Sequence, residues 1–309
     1  MKRNKKIVSN PLDHEEHMLI YPNNLKKWNL LIALFLLVFM NFFSAYANEP
    51  KKVLLVLGSG GSKGLAHVGV IEELEKLGVV PSVIIGCSAG AIVGALYAQG
   101  QDIGKVKDLF INMKYDDLID FSLFEKGATS SRKKMEDFLK ENLAATDFSS
   151  LKIPFIAVAT NLNDGKPVYF QEGDLHPAIL ASAALPGLFP PYEIGDQVYV
   201  DGGVTDPLPV NFAHTVEEGI IIACDISPSL DSFNTDTLPE ILRKSMEILY
   251  QRLVYLSREK ADIFLELNFT NASSPIEDSV NEQIYEEGKK AVADNAEKIQ
   301  QLLFSNKNG

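Results

Sequence analysis

The stretch that decides the fold is Val83-Ile84-Ile85-Gly86-Cys87-Ser88-Ala89-Gly90-Ala91-Ile92-Val93-Gly94-Ala95-Leu96. Its first three residues are apolar and β-branched, which predicts a buried strand, and the small and apolar residues after Gly90 predict a helix. Gly86 and Gly90 flank Ser88 in a G-x-S-x-G pattern, in which a Cβ at either glycine would collide with the neighbouring strand and helix backbone. The pattern therefore predicts a sharp turn that lifts the Ser88 hydroxyl to the carboxyl end of a strand, beside the positive end of a helix dipole.

From Val53 onwards, the chain alternates short apolar runs with longer segments of helical periodicity. Alternation of this kind is typical of a parallel sheet with helices on its faces, so we predict an α/β fold, a three-layer α/β/α sandwich with a mainly parallel central sheet. Further strands are predicted at Val53–Leu57, Pro154–Thr160, Val168–Gln171, Val198–Val200, Ile220–Asp225 and Ile263–Leu267. Further helices are predicted at Leu65–Leu77, His176–Ala184, Leu238–Ser257 and Asn281–Phe304.

The N-terminal region has the pattern of a targeting segment. Lys26-Lys27 precede an apolar run from Leu30 to Met40, and the small-residue site Ala45-Tyr46-Ala47 follows. A basic start, an apolar core and an A-x-A site predict a secretory signal peptide over residues 1–47, with Met18 as a better-placed start, and a catalytic domain over residues 48–309. We therefore expect an exported protein, periplasmic or secreted; the alternative is an uncleaved membrane anchor that leaves the same domain membrane-associated.

Composition and charge restrict the partners. The chain has 309 residues, of which 46% are hydrophobic, and this is ample for a sizeable core. A net charge of −12 excludes nucleic acid as a partner and repels anionic bilayers, so lipid contact would have to come through apolar surface. Cys87 and Cys224 lie in apolar contexts without metal-ligand spacing, so we predict two small core residues, no disulfide framework and no metal site.

A second glycine-rich segment, Gly58-Ser59-Gly60-Gly61-Ser62-Lys63-Gly64, follows the predicted first strand. Glycines let successive N–H groups converge on one point, which makes an anion cradle at the start of the following helix. Two nucleotide-binding alternatives fit less well. A dinucleotide fingerprint needs glycines at other offsets and a later acidic residue, and a P-loop needs Gly-Lys-Ser/Thr, whereas Gly64 follows Lys63 here.

A third segment, Tyr199-Val200-Asp201-Gly202-Gly203, ends a predicted strand in an acid and two glycines. Together, the glycine-rich turn, the G-x-S-x-G elbow and the Asp-Gly-Gly resemble the patatin-like phospholipase family. The stretch from Ala181 to Pro191 is also similar to bacterial members of that family. The resemblance covers about Lys52 to Val210, with looser likeness towards the C-terminus.

The resemblance implies a catalytic dyad, with Ser88 as the nucleophile and Asp201 as its direct base. It implies oxyanion-hole N–H groups at Gly60, Gly61 and Ser62, and no metal or organic cofactor. The glycines expected to support these motifs are Gly64, Gly86, Gly90, Gly202 and Gly203. The chain departs from the family's commonest glycine run at Ser59, which stands for the first glycine.

An aspartate with an ordinary pKa of about 3.9 is a weak base towards serine. We expect partial burial beside the elbow to raise the pKa of Asp201 and so make its carboxylate more basic. A conventional triad is the alternative, because the order Ser88, Asp201, His214 matches the chain order of α/β-hydrolases. His214, His67 and His176 otherwise fit packing, surface or capping positions.

The implied activity is a serine acyl hydrolase acting on fatty-acyl esters of phospholipids or lysophospholipids, with transient membrane-surface contact. A short-chain carboxylesterase and a lipid-binding protein with little turnover stay open as alternatives. In the segment Tyr115 to Phe124, apolar residues are interleaved with three aspartates. It fits either an amphipathic connection packed on the core or a mobile cover or acyl-chain pocket wall over the serine.

Overall fold

The computed structural model describes residues 31–36, 50–120, 128–230, 234–267, 269 and 278–304. Helix α1 covers residues 31–36, and it belongs to a unit separate from the one that begins at Pro50. Within the ranges above, no helix has the length and apolar character needed to cross a membrane. The predicted cleavage after Ala47 lies outside the described residues and stays a prediction.

The larger unit contains one sheet of eight described strands: β1 Val53–Leu57, β2 Val83–Cys87, β3 Phe155–Asn161, β4 Pro167–Phe170, β5 Tyr192–Ile194, β6 Gln197–Asp201, β7 Ile220–Asp225 and β8 Ile263–Glu266. Their order is β5-β6-β3-β2-β1-β7-β8, with β4 also paired to β3. Strands β3, β2, β1, β7 and β8 run parallel, whereas β4 and β6 pair antiparallel with β3 and β5 pairs antiparallel with β6.

The connections between these strands are mostly helical, as right-handed crossovers between parallel strands require. The remaining helices are α2 Leu65–Lys76, α3 Ala89–Ala98, α4 Ile103–Ile111, α5 Tyr115–Leu118, α6 Lys133–Asn142, α7 Leu175–Ser182, α8 Val210–Val216, α9 Leu238–Arg258, α10 Asp278–Asp294 and α11 Ala296–Phe304. Short 3₁₀ turns cover Gly61–Gly64, Phe148–Ser150 and Gly202–Val204.

Alternation along the central strand β1 separates two apolar layers. Val53, Leu55 and Leu57 join the core that includes residues of α2, α3 and α10. Leu54 and Val56 join a second core that includes residues of α8 and α9. Because successive strand residues point to opposite faces, a continuously apolar β1 is buried on both sides. The predicted α/β/α sandwich with a mainly parallel sheet is confirmed.

The predicted elements match the structure except for one helix, but the helices α4 and α6 and the strand β5 were not predicted. The strand β5 was not predicted, because its three residues, Tyr192–Ile194, carry no buried apolar pattern. The single helix predicted over Asn281–Phe304 is wrong, since α10 ends at Asp294 and α11 begins at Ala296. The side-chain amide of Asn295 donates to the carbonyl of Ala291 at 2.9 Å, while its backbone N–H donates to Val292 instead. A side chain that takes the helical acceptor in this way ends the regular ladder.

The segment predicted as a connection or cover is only partly described. Residues 115–118 form α5, and Ile119 is buried in the core. Residues 121–124 lie outside the described part of the chain. The choice between an ordinary connection and a mobile cover therefore stays a hypothesis.

Helices α2 and α10 approach each other closely through two glycines. A Cβ added to Gly69 would lie 2.2 Å from the carbonyl oxygen of Tyr285, and one added to Gly288 would lie 2.1 Å from that of Ala66. Both neighbours are backbone atoms in packed helices, which move only if the helices separate. The α2–α10 contact therefore depends on glycine at both positions.

We expect Gly288→Ala to lower the free energy of unfolding by about 3 kcal/mol, because the new methyl group must push α10 away from α2. Urea denaturation measures this change. Gly104→Ala in α4 is the matched control, because a Cβ there meets only the Asp102 carboxylate, at 3.0 Å. Equal stability of the Gly288→Ala and Gly104→Ala proteins would contradict the close packing.

Candidate active site

Ser88 lies at a strained turn between β2 and α3. Its backbone φ of 55° and ψ of −116° make it the one non-glycine residue with positive φ in the described part of the chain. A Cβ added to Gly86 would lie 2.4 Å from the carbonyl oxygen of Gly90, and one added to Gly90 would lie 2.1 Å from that of Leu57. Glycine is therefore required on both sides of Ser88. Such a conformation costs about 1–3 kcal/mol and persists only where the surrounding packing enforces it.

The sheet register brings Asp201 to Ser88. Strand β3 pairs Val158 with Cys87 of β2 and pairs the next residue, Ala159, with Asp201 of β6. The Ser88 hydroxyl donates a hydrogen bond to Oδ2 of Asp201 at 2.5 Å, across 113 positions of sequence. The backbone N–H of Gly203 donates to Oδ1 at 2.8 Å. Both carboxylate oxygens thus have a partner.

Burial makes Asp201 an unusually strong base for a carboxylate. The side chain is fully buried, and this burial raises its pKa from the ordinary 3.8 to about 6. The hydrogen bonds from Ser88 and Gly203 act in the opposite direction, because they favour the charged form, but burial outweighs them. Near neutral pH the group is mostly ionised, yet it holds a proton much better than an exposed aspartate would.

Gly202 and Gly203 let the end of β6 approach its neighbours. A Cβ at Gly202 would lie 2.3 Å from the carbonyl oxygen of Val158, and one at Gly203 would lie 2.9 Å from the ring of Tyr250. The Asp-Gly-Gly sequence therefore satisfies a packing requirement as well as supplying the Gly203 N–H to the carboxylate.

Two buried hydroxyl groups hold the elbow and the acid in place. The hydroxyl of Ser182 accepts from the backbone N–H of Ser88 at 3.0 Å and donates to the carbonyl of Val158 at 2.5 Å. The hydroxyl of Thr160 donates to the carbonyl of Asp201 at 3.0 Å. Neither residue was predicted to have a role. The Thr160 hydroxyl also lies 2.8 Å from that of Thr205. Contacts of single hydroxyl groups such as these leave no pattern in one sequence.

The glycine-rich turn lies directly beside the elbow. A Cβ added to Gly64 would lie 3.3 Å from the Cβ of Ala89, the residue after Ser88. Gly60 packs against Ile226, whose Cγ1 would be 2.4 Å from an added Cβ, and Gly61 has a positive φ of 56°. Gly61 and Ser62 are exposed and begin the 3₁₀ turn, where the first N–H groups lack acceptors inside the turn.

His67, His176 and His214 have hydrogen-bond partners other than Ser88 and Asp201. His214 is exposed, and its Nε2 lies 2.9 Å from the carbonyl oxygen of Lys260. His67 is fully buried with Nε2 at 2.8 Å from the carbonyl oxygen of Gly58, and burial lowers its pKa to about 4. His176 Nε2 lies 3.0 Å from the carbonyl oxygen of Leu143. Each ring is thus held by a backbone carbonyl, and His67 steadies the start of the glycine turn.

The cysteines and Lys63 occupy packing positions. Cys87 and Cys224 are buried free thiols, and burial raises the pKa of each. Lys63 is buried, with its Nζ 4.8 Å from the centre of the Phe269 ring, and burial lowers its pKa. Among the residues that the structure describes, no group of three or more His, Cys, Asp or Glu side chains could hold a metal ion.

The chain is thus an α/β protein whose mainly parallel sheet is covered on both faces and carries a serine elbow hydrogen-bonded to a buried aspartate. The family model for patatin-like phospholipase matches residues 55–214. The chain belongs to the patatin-like phospholipase family.

Individual relatives agree with this assignment. The chain is 35% identical over 196 residues to an uncharacterised NTE family protein of Mycobacterium tuberculosis, covering 63% of this chain and 54% of the relative. It is 30% identical over 203 residues to the lysophospholipase nte1 of Aspergillus fumigatus, covering 63% of this chain and 13% of that protein. The chain thus spans about half the length of the mycobacterial relative.

A solved structure supports the fold. The structure of VipD from Legionella pneumophila matches with a TM-score of 0.51 at 17% sequence identity, covering 84% of this chain and 67% of VipD. At this level of identity the likeness concerns the fold alone.

The burial of Asp201 predicts a pH-dependent stability. Because its pKa is higher in the folded protein, at about 6, than its ordinary 3.8, the folded state binds this proton more tightly than the unfolded chain does. The resulting stability is fully present below about pH 4 and is lost as pH rises through about 6. We expect the unfolding free energy of the wild type to fall by about 2 kcal/mol relative to Asp201→Asn between pH 4 and pH 7.

Urea denaturation at stepped pH values measures this difference. Asp196→Asn, which alters an exposed carboxylate in the turn between β5 and β6, is the matched control. A difference between wild type and Asp201→Asn that stays constant with pH would show that the Asp201 pKa is not raised in the folded protein.

Proposed function

We propose that this protein is a serine acyl hydrolase that cleaves fatty-acyl esters of phospholipids or lysophospholipids through a Ser88–Asp201 dyad. The observation that carries the proposal is the 2.5 Å hydrogen bond from the Ser88 hydroxyl, held at a strained elbow, to a fully buried carboxylate. A strained backbone and a buried carboxylate at one point are typical of reacting groups. Each lowers the stability of the fold, so each is retained mainly where function requires it.

In the first half of the reaction, the Ser88 Oγ attacks the ester carbonyl carbon while Asp201 takes its proton. The carbonyl oxygen becomes an oxyanion, which the backbone N–H groups of Gly60, Gly61 and Ser62 would stabilise. When the tetrahedral intermediate collapses, the bond to the leaving alcohol breaks and Asp201 returns the proton to that alcohol. An acyl group remains on Ser88.

In the second half, water repeats the sequence. Asp201 removes a proton from a water molecule, whose oxygen attacks the acyl carbon, and the same N–H groups receive the second oxyanion. Collapse releases the fatty acid and gives the proton back to the Ser88 Oγ. A carboxylate with a pKa of about 6 suits both directions of transfer near neutral pH.

The lipid substrate class rests on the relatives. The family model is named for phospholipases, and the Aspergillus relative is named a lysophospholipase. We also propose a location for the reaction. Residues 1–47 direct export, and the domain from residue 48 acts outside the cytoplasm or at a membrane surface. Activity on short soluble esters alone would favour the carboxylesterase alternative, and binding without turnover would favour the lipid-binding one.

We expect Ser88→Ala and Asp201→Asn each to lower fatty-acid release by at least about a thousandfold, because the residues act as one unit. The measurement uses a panel of phospholipids, lysophospholipids and short-chain esters. His214→Ala is the control and should keep wild-type activity, because its ring bonds Lys260 and not the dyad.

Circular dichroism establishes that each variant is folded. A folded Asp201→Asn protein with near wild-type activity would remove Asp201 as the base. A folded but inactive His214→Ala protein would favour the triad instead.

A further inference from the structure

Helix α9 exposes an apolar face that no described element covers. Tyr250, Val254 and Ser257 point inward and are buried. The large apolar residues that stay exposed on the same helix define what we call the α9 face: Leu238, Ile241, Leu242, Ile248, Leu249, Tyr255 and Leu256.

These residues form one stripe. Their positions follow the three- and four-residue spacing of a single helix face, and the places between them on that stripe are taken by Ser245 and Arg252. From Leu238 to Leu256 the stripe is about 27 Å long at 1.5 Å per residue. Single exposed apolar residues are ordinary on protein surfaces, but a continuous stripe indicates a contact surface.

The first half of α9 extends past the catalytic edge of the sheet. The ring of Tyr250 lies beside Gly203, whose N–H bonds Asp201, so Tyr250 is level with the dyad. Val254, one turn later, packs in the core with Leu54 and Val56 of β1. The helix then leads into β8, which is parallel to β7. It therefore runs from the carboxyl edge of the sheet, where Ser88 lies, back towards the amino edge.

The twelve residues before Tyr250 span about 18 Å. Of those whose side chains are described, none is buried. Leu242 is 57% exposed and Leu249 is 63% exposed. The apolar stripe thus projects beyond the edge of the sheet at which the Ser88–Asp201 pair lies.

The charge of α9 is opposite to that of the chain. The helix carries four basic residues, Arg243, Lys244, Arg252 and Arg258, against two acidic residues, Glu240 and Glu247, whereas the whole chain has a net charge of −12. Arg252 lies on the stripe itself, and the guanidinium of Arg258 lies 4.6 Å from the centre of the Tyr255 ring, which belongs to the α9 face. An apolar stripe that carries basic residues and no acidic ones is the pattern of a helix that lies in the interface of a bilayer.

We propose that the α9 face docks on the surface of a phospholipid bilayer and so holds the edge of the sheet that carries Ser88 close to the lipid. The lipid nature of the occupant rests on the proposed function. The orientation of the protein on the bilayer rests on the apolar stripe, on the local positive charge of α9 and on the position of α9 beside the dyad. A net negative protein would then meet the bilayer through the one described helix that offers both apolar contact and an excess of basic residues.

The test places an environment-sensitive fluorophore on Leu249→Cys in the full chain. Cys87 and Cys224 are fully buried, so labelling is directed to the new thiol. Val80→Cys is the matched control, because Val80 is 65% exposed but precedes β2 at the opposite edge of the sheet. Because both proteins keep residues 1–47, any vesicle binding by that segment is the same in each.

On addition of phosphatidylcholine vesicles, we expect emission from the probe at position 249 to shift to the blue, and more so when phosphatidylglycerol is included. The probe at position 80 should not shift. No shift at position 249 would overturn the inference. A blue shift without vesicles that grows with protein concentration would also overturn it, because a second copy of the chain would then cover the face.

An activity measurement separates this inference from the proposed function. Leu242→Ser combined with Leu249→Ser should lower the ratio of vesicle hydrolysis to soluble-ester hydrolysis about tenfold, because the bilayer contact loses two exposed leucines that docking would bury. Val80→Ser should leave the ratio unchanged. An unchanged ratio in the double variant, with Ser88-dependent hydrolysis intact, overturns the docking face alone. Insertion of the probe without any ester hydrolysis supports the docking face and overturns the proposed function.

Discussion

The contact between Gly90 and the carbonyl of Leu57 is the constraint on which the rest of the site depends. A Cβ at this glycine would lie 2.1 Å from the oxygen, so α3 can start directly above β1 only because residue 90 has none. That start forces the chain at Ser88 into a φ of 55°, and the hydroxyl then projects from the carboxyl edge of the sheet. Ser182 fixes the same peptide from the other side through the Ser88 N–H.

Asp201 meets this hydroxyl because the sheet changes direction at β3. The parallel pairing of β3 with β2 ends at Val158, and antiparallel pairing with β6 begins at Ala159. A residue at the end of β6 therefore lies next to the residue that follows β2. Burial raises the pKa of the Asp201 carboxylate, whereas the hydrogen bonds from the Gly203 N–H and the Ser88 hydroxyl stabilise its charged form. One carboxylate can thus hold the serine directly, without a histidine between them.

Much of this was readable in the sequence. The glycines around Ser88, the glycine turn and the Asp-Gly-Gly mark positions where backbone atoms approach closely, and a missing side chain leaves a visible pattern. The two apolar layers of β1 were equally readable from its unbroken apolar run. Three features were not readable because they depend on tertiary contacts. Ser182 and Thr160 act through single hydroxyl groups, the break at Asn295 arises from one side-chain hydrogen bond, and β5 forms only as the partner of β6.

The proposed function requires that the buried carboxylate of Asp201 activate Ser88. The most direct test is the rate at which a soluble phosphonate ester labels Ser88, followed by mass spectrometry across pH. We expect one adduct per chain, on Ser88, formed at a rate that rises as pH increases through about 6, and no such labelling in Asp201→Asn. Labelling at another residue, or equal labelling of Ser88 in the Asp201→Asn protein, would contradict the proposed function.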